Sequence, residues 1–254
     1  QKVGGRGTDG ETNSKGGAGT EATPPKGMAF IAAPKGFFLD VREVTVAEYR
    51  ACTSCVPAGR VTLTPQALRA LGIDGDPEAL KGAWEGRCNT VREAADHPVN
   101  CVKHDGALDY CERVGKRLPT DLEWSQAARG VPVARAFPWG DREPTCETSC
   151  FGLNGSCVGR QKVATCRVAS HFSDRTPAGV LGLGGNVAEW VSTKAKDQAN
   201  PSGPRLPIAR GGSFFDEADR LSDRRPLPPS TAHVFIGFRC AQDAPADFSP
   251  SPRG

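Results

Sequence analysis

Residues 97–130 read HPVNCVKHDGALDYCERVGKRLPTDLEWSQAARG. Ala107, Tyr110, Cys111 and Val114 recur at helical spacing and share one face, and Gly115 supplies the residue that ends such a helix. Thr120 and Glu123 then stand three apart, the spacing of a capping box. The threonine oxygen accepts from a first-turn amide while the glutamate reaches back to the cap, and Gly130 can close the helix so opened. The stretch therefore predicts two short helices joined by a tight connection.

Upstream, MAFIAAPKGFFLDVREVTVAEY (28–49) begins with strand-like runs at 28–32 and 36–41 and meets a second capping box at Thr45 and Glu48. Another helix is predicted at Thr64-Pro65, where threonine caps and proline takes the first helical position. After Trp139 regular periodicity fades, and Gly, Pro, Cys and Asn dominate until about Gly212, which predicts irregular but ordered backbone. Residues 1–26 hold a single valine and no aromatic, so they read as a flexible leader or tether that cannot bury enough apolar surface to offset its ordering entropy. The folded body is placed at 27–242, and 243–254 reads as a frayed tail.

Composition bounds the function. With 254 residues and 38% hydrophobic content, the chain can fill a core. Thirty glycines and 21 prolines predict a loop-rich globule. A net charge of +3 argues against a nucleic-acid binder, which concentrates basic residues. No run approaches the roughly 18 to 20 consecutive apolar residues of a membrane-spanning helix, so any membrane attachment is expected through the leader. Ten cysteines point to disulfides made in an oxidising compartment, and Gln1 reads as a processed start. A secreted, periplasmic or cell-surface location follows.

Six segments in order carry a resemblance: FFLDVREVTVAEY (37–49), the 97–130 stretch, FPWGD (137–141), GLGGNVAEW (182–190), RGGSFFD (210–216) and GFRC (237–240). Together they resemble the sulfatase-modifying-factor family, founded on the formylglycine-generating enzymes. The resemblance implies a single α+β domain related to C-type lectins, loop-rich with short helices and small antiparallel sheets. It also implies a disulfide between Cys111 and Cys240. The family's other disulfide is ruled out, because its positions are Ala128 and Pro226.

The enzymes of this family resemble one another in two cysteines shortly after RGGS that bind copper(I), a soft ion suited to two thiolates. Here Asp216 and Leu221 occupy those positions, and the tryptophan of GNVWEW is Ala188. Copper is therefore not expected. A branch of iron enzymes uses His-x3-His-x-Glu, a pattern that His97, His104, His171 and His233 do not form. The function expected is a non-catalytic binding or structural module, with an enzyme using relocated metal ligands as the alternative. Arg210, Ser213, Asp216, Asp219, Arg220 and Arg224 lie where the family's substrate groove runs, a density of mixed charge that can hold an extracellular protein, peptide or glycan. The same residues also read as a solvated loop with compensating ion pairs, each worth about 0 to 1 kcal/mol. The resemblance further implies calcium beneath the 182–190 loop, with Glu189 as carboxylate ligand and the carbonyls of Gly185 and Val187. Gly182 leaves that set one side chain short.

The remaining cysteines fall into two groups, Cys52, Cys55, Cys88 and Cys101, then Cys146, Cys150, Cys157 and Cys166, each with three pairings open. Cys52-x-x-Cys55 also has the spacing of a zinc half-site or a redox dithiol. Zinc normally takes a second tight pair and a redox dithiol a βαβ setting, and neither is legible here. Trp124, Trp139 and Trp190 read as core anchors.

Overall fold

The computed structural model describes residues 23–131, 134–152, 164–216 and 220–250. Strand β1 (Met28–Ile31) pairs antiparallel with β2 (Phe37–Asp40), and β7 (Ala241–Asp243) joins the other edge of β2. The chain's end thus returns to its beginning. Asp243, where the sequence suggests a tail, is the last residue of β7, and Phe248 packs on Phe30 and Phe38 with ring centroids 4.8 Å from each.

The predicted caps form. In α1 (Val46–Ala51) the Thr45 hydroxyl accepts from the Glu48 amide at 3.1 Å and the Glu48 carboxylate accepts from the Thr45 amide at 2.9 Å. Thr64 caps α2 (Pro65–Leu71), which Gly72 ends in the left-handed region at φ 69°. A further helix, α3 (Pro77–Glu85), is capped by Asp76 and lies outside the helices read from the sequence; it buries no residue fully, and Trp84 is its partly buried contact with the core. Helices α4 (His104–Arg113) and α5 (Asp121–Arg129) form the predicted pair, with the Thr120–Glu123 box in place. One detail differs: Val114 sits past the end of α4 and is 43% exposed, not on the buried face.

The irregular backbone expected up to Gly212 is corrected more substantially. It contains the two longest strands, β3 (Ala188–Asp197) and β4 (Asn200–Arg210), in a four-stranded sheet ordered β5-β4-β3-β6, with β5 at Arg224–Pro226 and β6 at Ile236–Gly237. Their inner parts, 188–191 and 206–210, are buried without alternation and include the charged Glu189 and Arg210, and the ladder shifts register between Val191 and Lys194, so no period-two pattern survives to be read.

Two core clusters fill the interior. One gathers Tyr49, Tyr110, Trp190 and Phe238, with the two tyrosine rings stacked at 5.3 Å. The other packs Leu39, Trp124, Val180, Leu183, Ile208 and Leu221. Trp124 and Trp190 are the expected anchors, whereas Trp139 is half-buried and stacks on Phe137 at 5.1 Å. His104 lies edge-on to Trp190 with its Nε2 3.0 Å from the Val191 carbonyl oxygen.

Four disulfides are described: Cys52–Cys55, Cys88–Cys101, Cys111–Cys240 and Cys150–Cys166. Cys146 is also disulfide-bonded, and Cys157 lies outside the described residues. The Cys111–Cys240 bridge joins α4 to the residue preceding β7.

Candidate functional site

The loop after β4 carries the residues nominated for a ligand groove, and most of them are engaged with each other. Asp216 accepts from the Ser213 hydroxyl at 2.7 Å and the Ser213 amide at 2.9 Å, a local turn that also orients it toward the Arg225 guanidinium at 3.1 Å. Arg210 is buried, with its guanidinium 5.0 Å from the Trp124 ring centre and its Nε 2.9 Å from Asp121. Arg224 meets the other oxygen of Asp121 at 2.6 Å. Asp121, the first residue of α5, therefore clamps both arginines and draws the loop onto the helix. Asp219 lies outside the described residues, and Arg220 begins the short 3-10 turn at 220–222.

Leu221 is 3% exposed and belongs to the second core cluster, so its position faces the interior. The two positions that carry thiolates in copper enzymes thus hold a carboxylate tied to an arginine and a core aliphatic. No described cysteine is a free thiol.

What remains open beside this loop is a cleft of about 490 Å³ between the end of α2 and β5. Arg69, Phe215, Asp216, Arg224 and Arg225 line it. Phe215 is 45% exposed and stacks on Phe235 at 4.9 Å, forming a fixed aromatic platform. Sequence reasoning missed Arg69 and Phe215. The only signal for Phe215 was the doublet Phe214-Phe215, in which one ring turns inward and the next outward.

Beneath the 182–190 loop lies a buried polar centre. Glu189 accepts from the Arg239 Nε and Nη2 groups at 2.7–3.0 Å and from the Trp124 indole at 2.7 Å, so both of its oxygens are committed. Asn186, in the left-handed region at φ 63°, donates to Glu43 at 2.9 Å and accepts from the Cys166 amide at 2.9 Å. Asp174 accepts from the Ser149 hydroxyl at 2.5 Å and from the Gly184 amide. Burial pushes the Glu43 carboxyl up to about 7 and the Asp174 carboxyl up to about 6. Gly182 has φ 75°, a conformation that side-chain-bearing residues rarely adopt, and a β-carbon there would lie 2.9 Å from a Glu43 oxygen. Of the calcium set of Gly185, Val187 and Glu189, the one carboxylate is held by the Arg239 guanidinium, and among the described residues no group of three or more acidic, histidine or cysteine side chains suited to a metal occurs.

The segments that build this loop and centre are those a family pattern recognises. The description "Sulfatase-modifying factor enzyme 1-like domain" matches residues 4–244. The chain belongs to the sulfatase-modifying-factor family. Among its relatives, the mouse "Inactive C-alpha-formylglycine-generating enzyme 2" is 31% identical over 66% of this chain and 56% of its own length. The bovine "Formylglycine-generating enzyme" is 30% identical over 65% of this chain and 50% of its own length. The chain thus spans about half the length of these relatives. In structure it is similar to CarF (TM-score 0.60, 18% identity, 83% of this chain and 87% of that one). It is also similar to PvdO from Pseudomonas aeruginosa (TM-score 0.56, 21% identity, 84% and 83%) and to Treponema denticola variable protein 1 (TM-score 0.56, 17% identity, 85% and 95%). The α+β, C-type-lectin-related architecture is thereby established. The four disulfides suit an extracytoplasmic compartment, and among the described residues no helix is long and apolar enough to cross a membrane.

Proposed function

We propose that this domain is a non-catalytic member of its family, serving as a binding module that presents the cleft beside Phe215. The observation that carries this reading is the pair of former thiolate positions. Asp216 is spent on holding the turn and Arg225, Leu221 is spent on the core, and neither substitutes for sulfur toward copper(I). The likeness to a relative described as inactive supports it. The competing reading, an oxidase with relocated ligands, draws on the likeness to the bovine enzyme. It requires two neighbouring thiolates, and the described cysteines are all in disulfides.

The cleft offers an aromatic face flanked by guanidinium groups, which suits an extracellular peptide or glycan bearing a carboxylate next to an apolar or ring surface. The test is binding of peptide and glycan arrays by the wild-type domain and by Arg69→Ala and Phe215→Ser. Each substitution is expected to weaken the captured ligand at least tenfold with an unchanged circular-dichroism spectrum. No ligand on the arrays, or equal binding by both variants, overturns the cleft assignment.

A further inference from the structure

The Cys52–Cys55 bridge differs from the other described disulfides in three independent ways. Both of its cysteines, Cys52 and Cys55, are partly exposed, whereas each of the other three described bridges has at least one buried cysteine, Cys166 being the partly exposed partner of buried Cys150. It joins positions only 3 apart, against separations of 13, 16 and 129 for the others. And it borders a cleft of about 460 Å³ that shares no residue with the one beside Phe215. The walls of this cleft are apolar at Val56 and Val91, which are 42% and 57% exposed, and basic at Arg50 and Arg60. Arg50 is fixed there by donating to the Thr90 carbonyl at 2.6 Å.

We propose that Cys52 and Cys55 form a thiol–disulfide exchange site for a dithiol-containing peptide or protein. Each feature supplies a requirement of that chemistry. Exposure lets an incoming thiolate reach a sulfur. The nearby guanidinium groups favour the departing thiolate, which offsets the unfavourable carboxyl end of α1 at Cys52. The apolar walls receive side chains flanking the attacking cysteine. The short ring closes little chain entropy, so the domain keeps its fold when the bridge opens, whereas opening Cys111–Cys240 frees a long loop.

The step balances within the two partners. A substrate thiolate attacks one sulfur of the pair, forming a mixed disulfide while the other cysteine leaves as a thiolate and takes a proton from solvent. The substrate's second thiol loses its proton, attacks the mixed disulfide and departs as an intramolecular disulfide. Cys52 and Cys55 are left as two thiols. Two electrons have passed from the substrate dithiol to the protein.

The experiment is a graded reduction of the native domain with dithiothreitol, rapid alkylation and peptide mapping, followed by reaction of the oxidised domain with a reduced Cys-x-x-Cys peptide carrying flanking apolar residues. Cys52 and Cys55 are expected to take label at a reductant concentration at least tenfold below that needed by the Cys88–Cys101, Cys111–Cys240 and Cys150–Cys166 pairs, and one equivalent of peptide disulfide is expected per domain. The double variant C52S/C55S is expected to fold and to oxidise none. The proposal is overturned if this pair opens only together with the buried ones, or if wild type and double variant oxidise the peptide equally.

Discussion

Replacing both cysteines of each bridge by alanine produces a graded series of stabilities whose order follows from chain topology. Loop-closure entropy of the unfolded chain scales with the logarithm of the number of residues enclosed. For separations of 3, 13, 16 and 129 the expected losses are about 2, 3, 3 and 5 kcal/mol at 25 °C. Burial widens the spread, because Cys111 and Cys240 are each 0% exposed and their removal also leaves unfilled core, while Cys52 and Cys55 are only partly buried at its edge and leave less. Urea unfolding of the wild type, C52A/C55A and C111A/C240A measures this directly through the midpoint and the slope. The C111A/C240A variant should lose about 3 kcal/mol more than C52A/C55A. Its slope should rise, because an unfolded chain without the crosslink exposes more surface. Equal losses for the two variants, or a larger loss for C52A/C55A, would refute the reasoning that the long bridge holds the two ends of the domain together.

Two further perturbations probe the buried polar centre. The folded Glu43 carboxyl titrates near 7 because of burial, against about 4.3 when unfolded, so the folded chain keeps a proton that the unfolded chain has lost. Stability is therefore greatest below about pH 4.5 from this group and falls as pH rises to 7, by on the order of 3 kcal/mol. Glu43→Gln removes that slope, and its stability relative to wild type should climb between pH 5 and pH 8 in urea titrations. A pH-independent difference contradicts the assignment. Arg239→Met leaves Glu189 in the interior without its cationic partner, with only the Trp124 indole donating to it, an expected loss of about 3 to 5 kcal/mol. The double variant Glu189→Leu with Arg239→Met should recover part of it, and thermal unfolding that gives additive losses contradicts the coupling.

The sequence made the helical half of the fold legible because its signals are local. Thr45 with Glu48, Thr64 with Pro65, and Thr120 with Glu123 each define a helix start within four residues, and each cap forms as read. Strands β3 and β4 escaped because their stabilising partners are remote and their inner runs lack alternation, while Pro201, Pro204 and Pro207 in β4 read as breakers. Helix α3 escaped because it is only nine residues long and buries none of them fully, although Asp76 and Pro77 carry the start signal and Trp84 packs on Phe235. The same locality governs the site. The loss of the copper pair is visible in the identity of Asp216 and Leu221. That Leu221 enters the core, that Arg210 and Arg224 share Asp121, and that Glu189 belongs to Arg239 are facts of tertiary pairing across about 50 to 100 residues. A charged loop that reads as an open groove is, for that reason, largely self-satisfied, and the accessible surface lies instead at Arg69 and Phe215.

The account as a whole rests on a family scaffold whose metal-gripping sulfurs are gone. Anaerobic titration of the disulfide-intact domain with copper(I) against a chromophoric chelator measures this most directly. No stoichiometric complex should form, and added oxygen with a cysteine-containing peptide should not be consumed. A tight one-to-one copper(I) complex that consumes oxygen on addition of that peptide would contradict it.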